Sequence, residues 1–196
     1  MIRATSPSAW RERPLCRRYV LAIFDVAAVR LREAKYLRDR SVPWAIGWLA
    51  DGPCEPLGAW IEPETGADGV PRMLADLQGR GVERIAYVAG IACLRDPASA
   101  AFCGTIVRSP VDPRLAEATA ASPSLGLAPP ELVAEEVRQG LVQAVRRHGS
   151  FESEAAALDF IAGALQRAER RLDRAGANAK GRLTQGPVAR TASARQ

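Results

Sequence analysis

The most constraining stretch is residues 18–33, "RYVLAIFDVAAVRLRE", which carries one acid, Asp25, inside an otherwise apolar first half and then alternates. An apolar run of this length reads as a strand covered on both faces at its start and on one face later. Two further strand-like segments follow at short intervals, "SVPWAIGWLAD" (41–51), closed by the turn signal Asp51-Gly52-Pro53, and "EPLGAWIEPE" (55–64). Connections this short favour antiparallel neighbours.

The period then changes. In "GADGVPRMLADLQGRGV" (66–82), Val70, Met73, Leu74 and Leu77 fall at i, i+3, i+4 and i+7, which predicts a helix ended by Gly79 or Gly81. "ERIAYVAGIA" (83–92) is an apolar strand after a helix, hence parallel to its neighbour. A meander of three strands, a crossover helix and a parallel strand is the core order of a ribonuclease-H-like α/β domain, an order other α/β folds share. Further on, "FCGTIV" (102–107) reads as one more short strand. Residues 131–149 and 150–176 read as two helices, the second with an apolar stripe of Phe151, Leu158, Ile161, Leu165, Ala168 and Leu172. The expected organisation is a flexible N-terminus (1–17), a core (18–110), a Pro/Ser/Ala-rich linker (111–130), a helical segment (131–176) and a disordered basic tail (177–196).

Charge is unevenly distributed. Residues 1–40 hold ten Lys/Arg against four Asp/Glu, and residues 167–196 hold eight against two, around an acidic middle. Basic ends suit a polyanion, because clustered cations gain affinity by releasing phosphate counterions, and they serve equally as solvated termini. Arg167, Arg170, Arg171 and Arg174 crowd what reads as the end of the last helix, where they complement its dipole or touch phosphate.

Several classes are excluded or disfavoured. No apolar run reaches the roughly 18–20 residues of a membrane span, and the N-terminal residues before Tyr19 have no apolar signal core, so a cytoplasmic protein is expected. Cys16, Cys54, Cys93 and Cys103 show no paired zinc spacing and read as reduced thiols; His148, the single histidine, reads as a solvated helix end. "GADG" (66–69) lacks the Lys-Ser/Thr of a phosphate loop, no nucleophile elbow is present, and Trp44, Trp48 and Trp60 read as core.

The residues "YVLAIFDVAAVRLRE" followed by "WAIGWLADGPCEPLGAWIEPETGADGVPRMLADLQGRGVERIAYVAG" resemble the core of mutator-type bacterial insertion-sequence transposases. Arg30 and Arg32 match the basic positions after the first acid. Gly47, Asp51, Gly52, Leu57, Gly58, Glu64, Leu74, Leu77, Arg80, Gly81 and Val82 match the run between the first and fourth strands. The resemblance covers roughly residues 18–109, weakening to about 172, where "SFESEAAALDF" is similar to the family's following helical segment. It implies a ribonuclease-H-like fold, DNA as partner, and metal-dependent strand transfer in which carboxylates hold Mg²⁺ or Mn²⁺. Asp25 then stands as the first of three catalytic acids and a metal ligand, with Arg30, Arg32, Arg167, Arg170, Arg171 and Arg174 as nucleic-acid contacts.

Departures from that pattern concern the chemistry. Ala89 and Gly90 occupy the end of the fourth strand, where the second acid belongs; Asp96 lies six or seven residues on, roughly 20 Å if extended. Ala28 replaces an aromatic, and the family's Cys-x-x-His signature keeps Cys103 but has Ile106 at the histidine position. The resemblance implies a third acid on a helix beyond a helical insertion, and the chain is expected to stop at or before that point. The expectation is a degenerate, truncated copy with no bound ion and no catalysis. Its partners are DNA, an intact transposase or a second copy of itself. The alternatives are a DNA-binding or regulatory module, or an active nuclease pairing Asp25 with Asp96, Glu135 or Glu136.

Overall fold

The structure, a computed structural model, describes residues 6–33, 36–50, 53–61, 69–90, 95–108 and 129–184, with side chains omitted at Arg95 and beyond Arg174. A five-stranded sheet is formed by β1 (Arg18–Glu33), β2 (Tyr36–Trp48), β3 (Cys54–Ala59), β4 (Arg84–Ala89) and β5 (Ile106–Arg108), in the order β3-β2-β1-β4-β5. The first three strands are antiparallel neighbours, and β4 and β5 run parallel to β1. Among the described residues five helices accompany them: α1 (Pro7–Arg11), α2 (Gly69–Gly79), α3 (Arg95–Ala101), α4 (Pro130–His148) and α5 (Glu154–Thr184).

Helices on both faces of the sheet account for the pattern of β1. Leu21 and Ile23 pack in one core with α4 and α5, whereas Ala22 and Phe24 pack in the other with α2 and α3. Beyond Asp25 only the α4–α5 face is covered, so Ala27, Val29 and Leu31 are buried while Ala28, Arg30 and Arg32 are exposed. The free edge of this outer half is met by the α4–α5 connection. The Phe151 amide donates to the Arg30 carbonyl and the Arg32 amide to the Phe151 carbonyl, at 2.8 and 2.7 Å.

Helix α2 buries Met73, Leu74 and Leu77 as their spacing predicts, and ends as Gly81 takes a positive φ of 102°. Several family-like positions prove to be packing devices. A Cβ on Gly47 would meet the Tyr19 ring at 2.6 Å, and one on Gly58 would meet Trp60 at 2.9 Å. The buried Arg80 donates to the carbonyls of Leu57 (2.7 Å) and Arg13 (3.0 Å), tying α2 to β3 and to the N-terminal segment.

Within the segment expected to be flexible (1–17), residues 6–17 pack against the rest of the fold, α1 against α5; residues 1–5 lie outside the described residues. Ser6 caps α1, and Trp10, buried on α5, donates its indole N–H to Glu169 at 2.7 Å. The Arg13 guanidinium stacks over that indole at 4.4 Å and bonds both Glu169 and Glu55. A single well-partnered tryptophan anchors a segment whose Pro and charge content suggested a loop.

Other boundaries shift. β2 starts at Tyr36, five residues before its expected onset, because the hairpin with β1 continues through polar pairs such as Arg30 opposite Asp39. α3 was unforeseen, and Phe102 closes it instead of opening a strand, leaving only Ile106–Arg108 as β5. α5 runs to Thr184, eight residues into the expected disordered tail. Residues 109–128, nearly all of the expected linker, and Asp51, Gly52, Glu64 and Cys93 lie outside the described residues. Among the described residues, no helix is long and apolar enough to cross a membrane.

Candidate active site at Asp25

Asp25 is not at a strand end but midway along β1, two residues past Ile23, the last residue paired with β4. Where β4 stops, a cavity of about 610 Å³ opens, lined by Asp25, Gly90 and, from α4, Glu131, Leu132, Glu135 and Arg138. Asp25 is half-buried there. One of its carboxylate oxygens accepts the Val26 amide at 2.7 Å, and its cross-strand neighbour is the fully buried Trp44.

Neither residue at the second acid position is an acid, and the two are held differently. Ala89 pairs with Ile23 and is completely buried in the core beneath α4 and α5. Gly90 adopts φ 123°, and a Cβ there would overlap the carbonyl oxygen of Phe24. Only glycine fits that backbone conformation at that distance.

Helix α4 brings two acids to Asp25 that its amphipathic pattern places on one side. Val133, Ala134, Val137, Leu141 and Val145 face the core, while Glu131, Glu135 and Arg138 fall at i, i+4 and i+7 on the cavity side. Glu135 is already engaged: the Arg138 guanidinium donates to both its oxygens, at 2.6 and 2.7 Å, and Gln139 donates at 2.8 Å. Those bonds, Arg138 first, lower the Glu135 pKa to about 2. In turn Arg138 is held charged by Glu135, and more weakly by Asp25. The site is therefore a carboxylate facing a solvent-exposed ion pair within α4. Glu131 and Arg138 escaped the sequence reading, although the i, i+4, i+7 charges opposite an apolar stripe were the available signal.

Mg²⁺ asks for several oxygen ligands in a near-octahedral set. Among the described residues, no group of three or more His, Cys, Asp or Glu is arranged to hold a metal ion. With Glu135 bound to Arg138 and Ala89 at the second acid position, the residues do not fit a two-ion centre, and no step through a metal is assigned to them.

The remaining candidates lie elsewhere. Asp96 is exposed on α3, against α2 on the other face of the sheet, and Glu136 is exposed outside the cavity. Arg30 and Arg32 project from the face of β1 opposite Asp25; Arg30 is 3.5 Å from Asp39, and Arg32 donates to Ser150 at 3.2 Å. Arg167, Arg170, Arg171 and Arg174 meet around a groove between α4 and α5, mid-helix, not in the last turn, since α5 continues ten residues further. His148 stacks on Phe151, with centroids 4.2 Å apart, and serves packing. Cys103 and Ile106 are both exposed at the start of β5, and the buried Cys54 thiol is pushed up to about 12 by burial.

The sheet is mixed, and it presents Asp25 just past the point where the parallel strand β4 ends. The family model for "Transposase, Mutator family" matches residues 4–108, more than half of the chain, and the chain belongs to that family. It is 38% identical over 102 residues to the "Probable transposase for insertion sequence element ISRM3-like" of Sinorhizobium fredii. It is 37% identical over 102 residues to the "Transposase for insertion sequence element ISRM3" of Rhizobium meliloti. Each alignment covers 51% of this chain but 26% of the relative, so the chain spans about a quarter of their length.

Proposed function

We propose that this chain is a DNA-transposition protein whose ribonuclease-H-like core does not itself cut or join DNA. The strand order β3-β2-β1-β4-β5, with the first three antiparallel and the last two parallel to β1, supports that fold. The observation that carries the reading is at the end of β4, where Ala89 and Gly90 leave Asp25 without the carboxylate that phosphodiester transfer through Mg²⁺ or Mn²⁺ requires. The Glu135–Arg138 pair adds to it, because an acid bonded twice to an arginine is not free to ligate an ion.

On this reading the protein acts in the cytoplasm on DNA, and pairs there with an intact transposase or with a second copy of itself. A regulatory module that binds DNA without cutting it is the second reading, favoured by the unpaired arginines of α5. A supercoiled-plasmid nicking assay with Mg²⁺ and with Mn²⁺ tests the proposal. No nicking is expected from the chain or from Asp25→Asn; nicking that disappears in Asp25→Asn would overturn it.

A further inference from the structure

On α4, the residues lining the Asp25 cavity are Glu131, Leu132, Ala134, Glu135 and Arg138. Those lining a second cavity, of about 520 Å³, include Val137, Gly140, Ala144 and Arg147. At 3.6 residues per turn the two sets point about 180° apart, so the second cavity opens on the side of α4 turned away from Asp25.

This groove between α4 and α5 is walled by five arginines: Arg147 from α4, and Arg167, Arg170, Arg171 and Arg174 from α5. Among the described residues no Asp or Glu lines it. All five arginines are exposed, and none has an ion-pair partner among the described residues. Several arginines elsewhere in the chain are paired with carboxylates: Arg11 with Asp159, Arg13 with Glu55 and Glu169, Arg138 with Glu135. Five like charges converging on one concavity raise the local positive potential, which salt screens and a polyanion neutralises with release of its counterions.

The shape of the charge selects among anions. The α5 arginines fall at i, i+3, i+4 and i+7, a stripe about 10 Å long, and duplex DNA carries about six phosphates over that length of axis. An acidic amphipathic helix would need apolar surface to bury, but the groove floor offers little: Val137, Leu141 and Ala168 are 4%, 2% and 3% exposed, already consumed by packing. Among the described residues no aromatic side chain lines the groove to give unpaired bases a platform for stacking.

We propose that the α4–α5 groove docks the phosphate backbone of duplex DNA, on the face of the protein opposite Asp25 and without any metal ion. This deepens the reading of the chain as a DNA-transposition protein and rests on it. Binding is sequence-independent and salt-dependent, because only phosphates are contacted. It also persists whatever the state of the Asp25 cavity, which gives a chain with an incomplete acid set a way to occupy DNA.

The test is fluorescence anisotropy of the full chain with a labelled 20-base-pair duplex in EDTA, across a salt series. Arg167→Glu/Arg171→Glu and, separately, Arg147→Glu are compared with Arg72→Glu/Arg84→Glu, which makes the same double charge reversal at exposed arginines outside the groove. The groove double variant is expected to bind at least about tenfold more weakly, with a salt slope shallower by about two. Arg147→Glu is expected to weaken binding by about threefold or more, and the control pair by less than about twofold. Circular dichroism melts establish that each variant is folded. Equal losses in groove and control variants, or undiminished binding in the groove variants, would overturn the proposal. So would displacement of the duplex by millimolar inorganic phosphate, which would make the groove a small-anion site, or tighter binding of an acidic helical peptide than of DNA. Plasmid nicking would sink the non-catalytic reading and leave the groove standing; loss of the groove effect without nicking would do the reverse.

Discussion

Ala89 of β4 lies opposite Ile23 of β1, so its side chain faces the same layer as Asp25, two residues further along. Restoring an acid is therefore geometrically sensible at 89 and not at 90. Ala89→Asp buries a carboxylate in a completely inaccessible site and should cost about 3–5 kcal/mol in metal-free buffer. Mn²⁺ should recover part of that loss, as a rise in melting temperature that the parent chain does not show. Gly90→Asp, in contrast, drives its Cβ into the Phe24 carbonyl and should lose about 3 kcal/mol or more with no Mn²⁺ recovery. Thermal melts of the three proteins with and without Mn²⁺ check both; recovery in Gly90→Asp alone would mean the cavity geometry is misassigned.

The Glu135–Arg138 pair sets a second expectation. Glu135 has its folded pKa depressed, so its favourable contribution is present above the ordinary carboxylate value and is lost as pH falls through about 2. Replacing Arg138 by Gln removes the first cause of that depression and should return the Glu135 titration to the range near 4. Side-chain carbonyl NMR titration reads it directly. Because the pair is on the surface, the melting temperature at neutral pH should hardly move.

Gly47→Ala probes what the family-like positions do for the fold. The new methyl would meet Tyr19 Cδ1 at 2.6 Å and Leu57 Cδ2 at 2.8 Å, and Tyr19 cannot retreat freely because its hydroxyl donates to Glu55 at 2.7 Å. Overpacking of this kind costs about 1–3 kcal/mol. A fall of several degrees in melting temperature, with DNA binding at the α4–α5 groove unchanged, is the expected result; an unchanged melt would show that β2 and the tyrosine ring accommodate the methyl.

What the sequence disclosed follows from the range of the interactions involved. The sixteen residues of β1 were legible because their burial is periodic, and the turn after α2 because Gly81 must take a positive φ. Family-like positions such as Gly58, Leu74 and Arg80 report packing, so they announced the sheet and α2 without announcing a reaction. Asp25 was found by pattern, whereas Glu131 and Arg138 reach it from more than a hundred residues away, through the packing of α4 on β1. The order of α1 was equally hidden, since it depends on Trp10 meeting Glu169 across 159 positions. Arg147 joins the α5 arginines only because two helices cross, which no local window shows.

The clamp formed by Trp10, Arg13 and Glu169 carries a pH dependence of its own. Burial raises the Glu169 pKa, against the opposing pull of Arg13 and the Trp10 indole. A carboxyl raised in the folded state binds its proton more tightly there than in the unfolded chain, so its stabilising contribution is full below the ordinary carboxylate value and is lost as pH climbs through the raised one. Ionising Glu169 in the folded chain thus carries a cost, offset by the two hydrogen bonds its carboxylate accepts. Glu169→Gln removes the titration while keeping an oxygen for the indole N–H, so the variant should lose less stability than the parent between pH 4.5 and 7.5. Trp10→Ala, which empties a buried site and leaves Arg13 and Glu169 without their indole, should cost about 3–5 kcal/mol at any pH. Urea denaturation at the two pH values separates these effects, and a parent-like slope in Glu169→Gln would assign the pH dependence to another carboxylate.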